Sequence, residues 1–200
     1  MASKFVIIGL SGKRGSGKDA LANKLIALGW EKVSFAGELK QRVRDDFNLT
    51  VEQTDGALKE VPSGYINETG TELTPRDIMT TCGQYYRSID PMFWVKSAFR
   101  RVVRNEVEGT RKLVVTDVRF PNEANFLRQH GAIMVRLNRY PKLNIYKTEL
   151  NNISETSLDT YSFDWTIPPE NNIDLTDLER HAKSFDDLFT PKAIEMSFAI

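Results

Sequence analysis

The chain has 200 residues, with 27 Lys plus Arg balanced by 27 Asp plus Glu, so its formal net charge is zero at pH 7. That balance supplies no overall field for drawing in nucleic acid or an anionic membrane, and 40% hydrophobic with 27% charged residues is ordinary for a soluble globular protein. The length suits one domain, residues 1–200, with an inserted lobe, and the single cysteine, Cys82, excludes an intrachain disulfide.

Phe5–Ile8 is an apolar run of the kind that forms a buried strand. It breaks into Gly12-Lys13-Arg14-Gly15-Ser16-Gly17-Lys18, after which Leu21, Leu25 and Leu28 mark one face of a helix. Strand, glycine loop, helix, with the spacing G-x-x-x-x-G-K, is the pattern of a phosphate-binding loop. Its glycines let backbone N–H groups turn toward an anion. The helix N-terminus adds partial positive charge, and Lys18 adds a full one. Position 19, usually Ser or Thr, is Asp, and position 20 is Ala. Glycine and charged residues interrupt the first apolar run too early for a signal peptide, and no run approaches membrane-spanning length. A cytoplasmic protein is expected.

Further along, Trp30–Phe35 reads as a short second strand, and Leu39, Val43 and Phe47 suit a helix over residues 37–47. Residues 50–73 are polar and glycine-punctuated, a long loop or small insertion. Thr74-Pro75 starts a helix running to about Arg87, and Asp90-Pro91 opens another that ends near Gly109. Cys82 reads as a small helix residue, not a nucleophile. Lys112–Thr116 is a third strand ending in Asp117, Pro121–His130 a helix, and Ala132–Leu137 a fourth strand. Arg139–Thr160 is polar and weakly periodic. Phe163–Ile167 is a fifth strand, and Leu175, Leu178, Ala182 and Phe185 mark a last helix.

Strands alternating with helices predict an α/β protein with a five-stranded, mostly parallel sheet and helices on both faces. Ligands of that class bind at the carboxyl ends of the strands. The phosphate loop, Asp117 and Arg139 all follow strand ends, so they should meet at one rim. There Lys18 would hold the phosphates of a nucleoside triphosphate, and Asp117 stands either as a magnesium ligand or as a cap on the following turn. Asp19 has three readings: a magnesium ligand, a group orienting the acceptor, or a cap on the first helical turn. Arg14, Arg76, Arg87, Arg119, Arg136 and Arg139 are the guanidinium groups available to clamp phosphate. Tyr85, Tyr86, Phe35 and Trp165 could stack on a base, with core packing the default for the last two.

The chain resembles the deoxynucleoside monophosphate kinases of bacteriophages, within the P-loop nucleoside monophosphate kinase group. The resemblance rests on G-K-R-G-S-G-K-D at 12–19, S-F-A-G-E-L-K at 34–40, L-T-P-R-D at 73–77 and G-Q-Y-Y-R-S-I-D-P-M-F-W-V at 83–95. It rests further on V-T-D-V-R-F-P-N-E-A at 115–124, I-S-E-T-S-L-D at 153–159 and F-D-W-T-I at 163–167. An Asp after the loop lysine is a habit of that family. Gly37-Glu38, Ala20 and Asn152 depart from its usual residues.

The resemblance implies a three-layer P-loop kinase fold, with a helical acceptor-binding insertion at about 37–107 and a lid at about 139–160. It implies ATP as phosphoryl donor and Mg2+ as cofactor, with Gly12, Lys13, Arg14, Gly15, Ser16, Gly17, Lys18 and Asp19 on the donor and Asp19 and Asp117 on the metal. Phe35, Lys40, Arg76, Arg87, Arg119 and Trp165 would face the acceptor, a deoxynucleoside monophosphate. Lys18, Arg119 and Arg139 would act in the transfer, with Arg139 and Lys142 as lid residues. No nucleic acid or membrane is implied as a partner. The helix pair at 74–107 offers a surface for a homodimer. Other readings are a P-loop kinase of dephospho-coenzyme A or of a nucleoside, and a nucleotide-binding ATPase without kinase activity.

Overall fold

The computed structural model describes residues 4–104, 109–138, 153–168 and 175–195. In chain order these form β1 (Lys4–Gly12), α1 (Lys18–Ala27), β2 (Glu31–Val33), α2 (Phe35–Phe47), α3 (Val51–Asp55), β3 (Tyr65–Ile66), β4 (Glu72–Leu73), α4 (Pro75–Ile89) and α5 (Phe93–Arg104). Then come β5 (Thr110–Val115), α6 (Pro121–Gln129), β6 (Ile133–Leu137), the single turn α7 (Ile153–Thr156), β7 (Trp165–Ile167), α8 (Leu175–Phe189) and β8 (Ile194–Glu195). Arg139 and Lys142, with most of the expected lid, lie outside the described residues. The chain divides into two compact units, residues 35–102 and the remainder.

In the larger unit five strands run parallel in the order β2-β5-β1-β6-β7. The expected sheet is therefore present. Its sixth member, β8, pairs antiparallel with the start of β1, Lys4 opposite Glu195 and Phe5 opposite Ile194. One face of β1 points Val6, Ile8 and Leu10 at Leu21, Ala22 and Leu25 of α1 and at Leu178, Ala182 and Phe185 of α8, all buried. Burying such aliphatic side chains contributes roughly 1.5–3 kcal/mol each, so this seam anchors the strand that leads into the loop. The other face carries Gly9. A Cβ on Gly9 would lie 2.7 Å from Met134 Sδ and 3.1 Å from Leu127 Cδ1, so glycine here makes room for the side chains of Met134 from β6 and Leu127 from α6. Trp30, just after α1, donates its indole N–H to Asp186 of α8 at 2.8 Å. Lys112 of β5 reaches the same carboxylate at 2.8 Å.

The smaller unit packs Leu39, Val43 and Phe47 of α2 around Ile78 and Leu49, as their four-residue spacing predicts. Cys82 belongs to this cluster, and burial pushes its thiol up, away from thiolate chemistry. Residues 50–73 are more ordered than the expected loop. Thr50 and Gln53 form a reciprocal capping box that starts α3. β3 and β4 form a small hairpin whose turn is tied by Asn67 Oδ1, which accepts the N–H groups of Thr69 and Thr71 at 3.1 and 2.9 Å. Thr74 and Asp77 cap α4 in the same reciprocal way, with Pro75 at its first position. The second expected strand needs correction: it stops at Val33, and Phe35 is the first residue of α2. No described helix is long and apolar enough to cross a membrane.

Candidate phosphate-binding site

The loop that follows β1 is shaped by three glycines with positive φ, Gly12 at 151°, Gly15 at 76° and Gly17 at 96°. A Cβ on Gly12 would sit 2.6 Å from both the Leu137 carbonyl oxygen and Ser16 Oγ, so a side chain is excluded on two grounds. Gly17 precedes α1 with no side-chain cap, which leaves the first N–H groups of that helix without a competing carboxylate or hydroxyl from the N-cap residue. Lys18 folds back along the loop, donating from Nζ to the carbonyls of Gly12 (2.5 Å) and Lys13 (2.9 Å) and reaching Ser16 Oγ at 3.5 Å. Burial, followed by the positive charge of Arg119, lowers its pKa from 10.5 to about 8. An ammonium so placed gains from any anion that replaces neutral carbonyl oxygens as its partner.

Arg119 stands at the turn between β5 and α6. The turn is locked by Glu123, a buried carboxylate that accepts the N–H groups of Arg119 (2.8 Å) and Phe120 (3.1 Å). The Arg119 guanidinium donates to Glu155 Oε1 at 2.8 Å and Ser154 Oγ at 3.3 Å. Glu155 Oε2 in turn accepts the backbone N–H of Arg14 at 2.7 Å. Four residues on, Asp159 joins Lys13 Nζ (3.3 Å) to Arg136 Nη2 (2.6 Å). Arg136 is buried in β6 and also donates to Ser11 Oγ at 3.1 Å. Beside the loop lies a cavity of about 400 Å3, lined by Lys13, Arg136, Asn138, Asp159, Tyr161 and Phe163 among others. The loop, Arg119 and Arg136 thus come together in one unit.

The oxygen donors suit a hard cation. The Asp19 carboxylate is 83% exposed in the first turn of α1, with Lys32 Nζ at 3.9 Å. The Asp117 carboxylate accepts from Ser34 Oγ at 2.9 Å. Among the described residues no group of three or more His, Cys, Asp or Glu side chains gathers around one point. Magnesium does not need one, since it keeps several waters and takes one or two carboxylates plus substrate phosphates.

The remaining sequence-derived candidates are placed differently. Phe35 is buried, 3% exposed. Trp165 packs edge-on against Phe185 and lines a second cavity of about 400 Å3 with Phe5, Gly131, Phe189 and Lys192. Phe5 is the second residue of β1 and Gly131 precedes β6, so that cavity lies at the amino ends of the strands, opposite the phosphate loop. In the smaller unit Lys40 bonds Asp55 at 2.6 Å, Arg76 pairs with Glu60, and Arg87 lies in the last turn of α4 beside Gly83. Glu123, Glu155 and Asp159, which lie in the motifs that carry the resemblance but take no role from them, bond the loop or its neighbouring arginines. Glu123 had a local signal, a Pro-x-Glu run opening a helix.

A parallel sheet in this order, with a glycine loop and lysine between its central strand and first helix, is the P-loop kinase fold. The chain resembles the crystal structure of TT1252 from Thermus thermophilus with a TM-score of 0.50 at 15% identity, covering 92% of this chain and 97% of that one. The family model for deoxynucleotide monophosphate kinase matches residues 57–181. A protein of Acanthamoeba polyphaga mimivirus bearing the same family name is 32% identical over 149 residues, 68% of this chain and 75% of its relative. The chain belongs to the deoxynucleotide monophosphate kinase family.

Proposed function

We propose that the protein transfers the γ-phosphoryl group of ATP to a deoxynucleoside monophosphate, with Mg2+, giving ADP and the deoxynucleoside diphosphate. The observation that carries this reading is the glycine loop with its partly buried Lys18, set within Coulombic reach of Arg119 and Arg136. Phosphoryl transfer rests almost entirely on positioning and charge stabilisation, and these are the groups that supply both.

The loop N–H groups and Lys18 hold the donor phosphates, Lys18 exchanging two carbonyl partners for phosphate oxygens. Arg119, fixed at its backbone by Glu123, turns its guanidinium to the transferring group. Asp19 and Asp117 would hold magnesium, directly or through water. Magnesium held there would supply positive charge to offset the negative charge of the donor phosphates. Arg76 and Arg87 bind the acceptor phosphate, and Arg139 and Lys142 close over the donor. The acceptor is already an anion, so no general base is needed. Closure must exclude water, or ATP would be hydrolysed without product.

The test is a panel of deoxy- and ribonucleoside monophosphates assayed for ADP formation. ADP is expected only when a deoxynucleoside monophosphate is present. Equal turnover with and without every one of them would overturn the reading.

A further inference from the structure

Glu155 occupies an unusual place for a carboxylate. One oxygen takes the Arg14 N–H, a backbone donor of the phosphate loop itself, and the other takes the Arg119 guanidinium. Loop N–H plus guanidinium is a donor set suited to phosphate. The Glu155 side chain is only 10% exposed, so the carboxylate has exchanged most of its water for these two donors.

The two acidic anchors of this segment differ in strength. Asp159 is held by Arg136, which is 8% exposed and has further bonds to Ser11 and Asn138. Arg119, by contrast, is 44% exposed at its side chain, so water screens its pairing with Glu155. The Arg136 guanidinium, buried and held by three partners, stays in place although Asp159 itself is 37% exposed, whereas the half-exposed Arg119 guanidinium can turn from Glu155 to a stronger anion. A triphosphate is such an anion, since it brings several negative charges to donors that Glu155 occupies with one.

We propose that Glu155 is a built-in competitor for the phosphate loop: its carboxylate takes the place of a phosphate oxygen until a triphosphate expels it and receives Arg119 in exchange. This rests on the phosphotransfer reading above and adds a residue that sets donor affinity. Asp159 keeps the segment tethered to Arg136 while Glu155 leaves, so the displaced carboxylate stays close and returns when the nucleotide departs. The device makes the release of Arg119 conditional on phosphate. Its cost is apparent affinity, because binding is weakened by the fraction of molecules in which the loop is already filled.

The experiment measures ATP and tripolyphosphate binding by calorimetry for the unsubstituted protein, Glu155→Gln, Glu155→Ala and Asp187→Asn. The last removes one exposed charge from α8 and controls for net charge. Both Glu155 variants are expected to bind ATP and tripolyphosphate about tenfold more tightly, the gain if nine molecules in ten start with the loop filled. Asp187→Asn should change neither. A carboxylate that merely braced the loop would, when removed, leave binding unchanged or weaken it, and either result overturns the proposal. So does an equal gain in Asp187→Asn. If the unsubstituted protein binds no ATP at all, the phosphotransfer reading fails and this one fails with it.

Discussion

Arg136 and Asp159 are joined at 2.6 Å, a bond between a buried strand residue and a segment 23 positions further along the chain. The same guanidinium reaches Ser11 on the neighbouring strand, so one side chain ties β1, β6 and the 153–159 segment together. Arg136→Ala leaves Asp159 without its main partner and a cavity under the loop. A loss of about 2–3 kcal/mol is expected, more than a surface ion pair contributes. Urea unfolding measures it, and a change below about 0.5 kcal/mol would show that the bond carries no structural weight.

Lys18 gives the site a pH signature. Its folded pKa, about 8, lies below the ordinary 10.5, so the unfolded chain binds more protons between those values. Its contribution to stability therefore rises with pH across that window and is least favourable below about 8. Nucleotide affinity should run the other way. Above pH 8 the free protein holds a neutral amine that must take up a proton to meet a triphosphate. Affinity then falls toward a limit of about tenfold per pH unit. Titrations in two buffers of different ionisation enthalpy should reveal proton uptake at pH 8.5 that is absent at pH 6.5.

Removal of that side chain separates function from folding. Lys18→Ala should lower turnover by about 10²–10³-fold or more, the cost of losing a donor aimed at developing charge. The melting temperature should hold or rise, because a cation that burial disfavours has gone. A variant with intact turnover would mean that phosphate binds elsewhere.

Gly12→Ala tests the loop backbone. The residue would enter a left-handed region at φ 151° with its Cβ 2.6 Å from a carbonyl oxygen. The expected cost is about 1–3 kcal/mol, with loss of nucleotide binding because the loop must shift. Thermal unfolding and ATP titration on the same sample show both effects.

Asp19→Asn addresses the metal. If the carboxylate is a ligand, the magnesium concentration for half-maximal turnover should rise about 10–100-fold, the range seen when a metal's shell is disturbed. An unaltered magnesium requirement would argue against a metal role and leave acceptor orientation or the cap of the first helical turn.

The sheet and the phosphate loop were legible because their signals are local. Apolar runs, glycines at fixed spacing and Thr-Pro helix starts each act within a few residues. Phe35 was misplaced for a related reason: over W-E-K-V-S-F, alternation of apolar and polar residues fits the end of a strand and the first turn of a helix equally well. Residues 50–73 looked featureless because their order comes from side-chain bonds, such as those of Asn67, and not from apolar periodicity. Trp165 lies in the expected strand, yet the sequence could not say which end of the sheet its ring would reach. Glu155 and Asp159 fall in a stretch that carries the family resemblance, yet neither takes a role from the sequence alone. Each meets the loop across more than 140 positions of chain, and no local pattern announces such a contact.

The short strand β8 has a consequence for handling the protein. β5 covers one side of β1 from Lys4 to Gly9, but β6 covers the other side only from Ile8 onward. β8 fills the uncovered flank at Lys4 and Phe5. A chain cut back to Phe189 would bare that flank, and an open strand edge is a template for pairing with another chain. The first sign of such trimming would be self-association, at the far end of the same strand from the glycine loop.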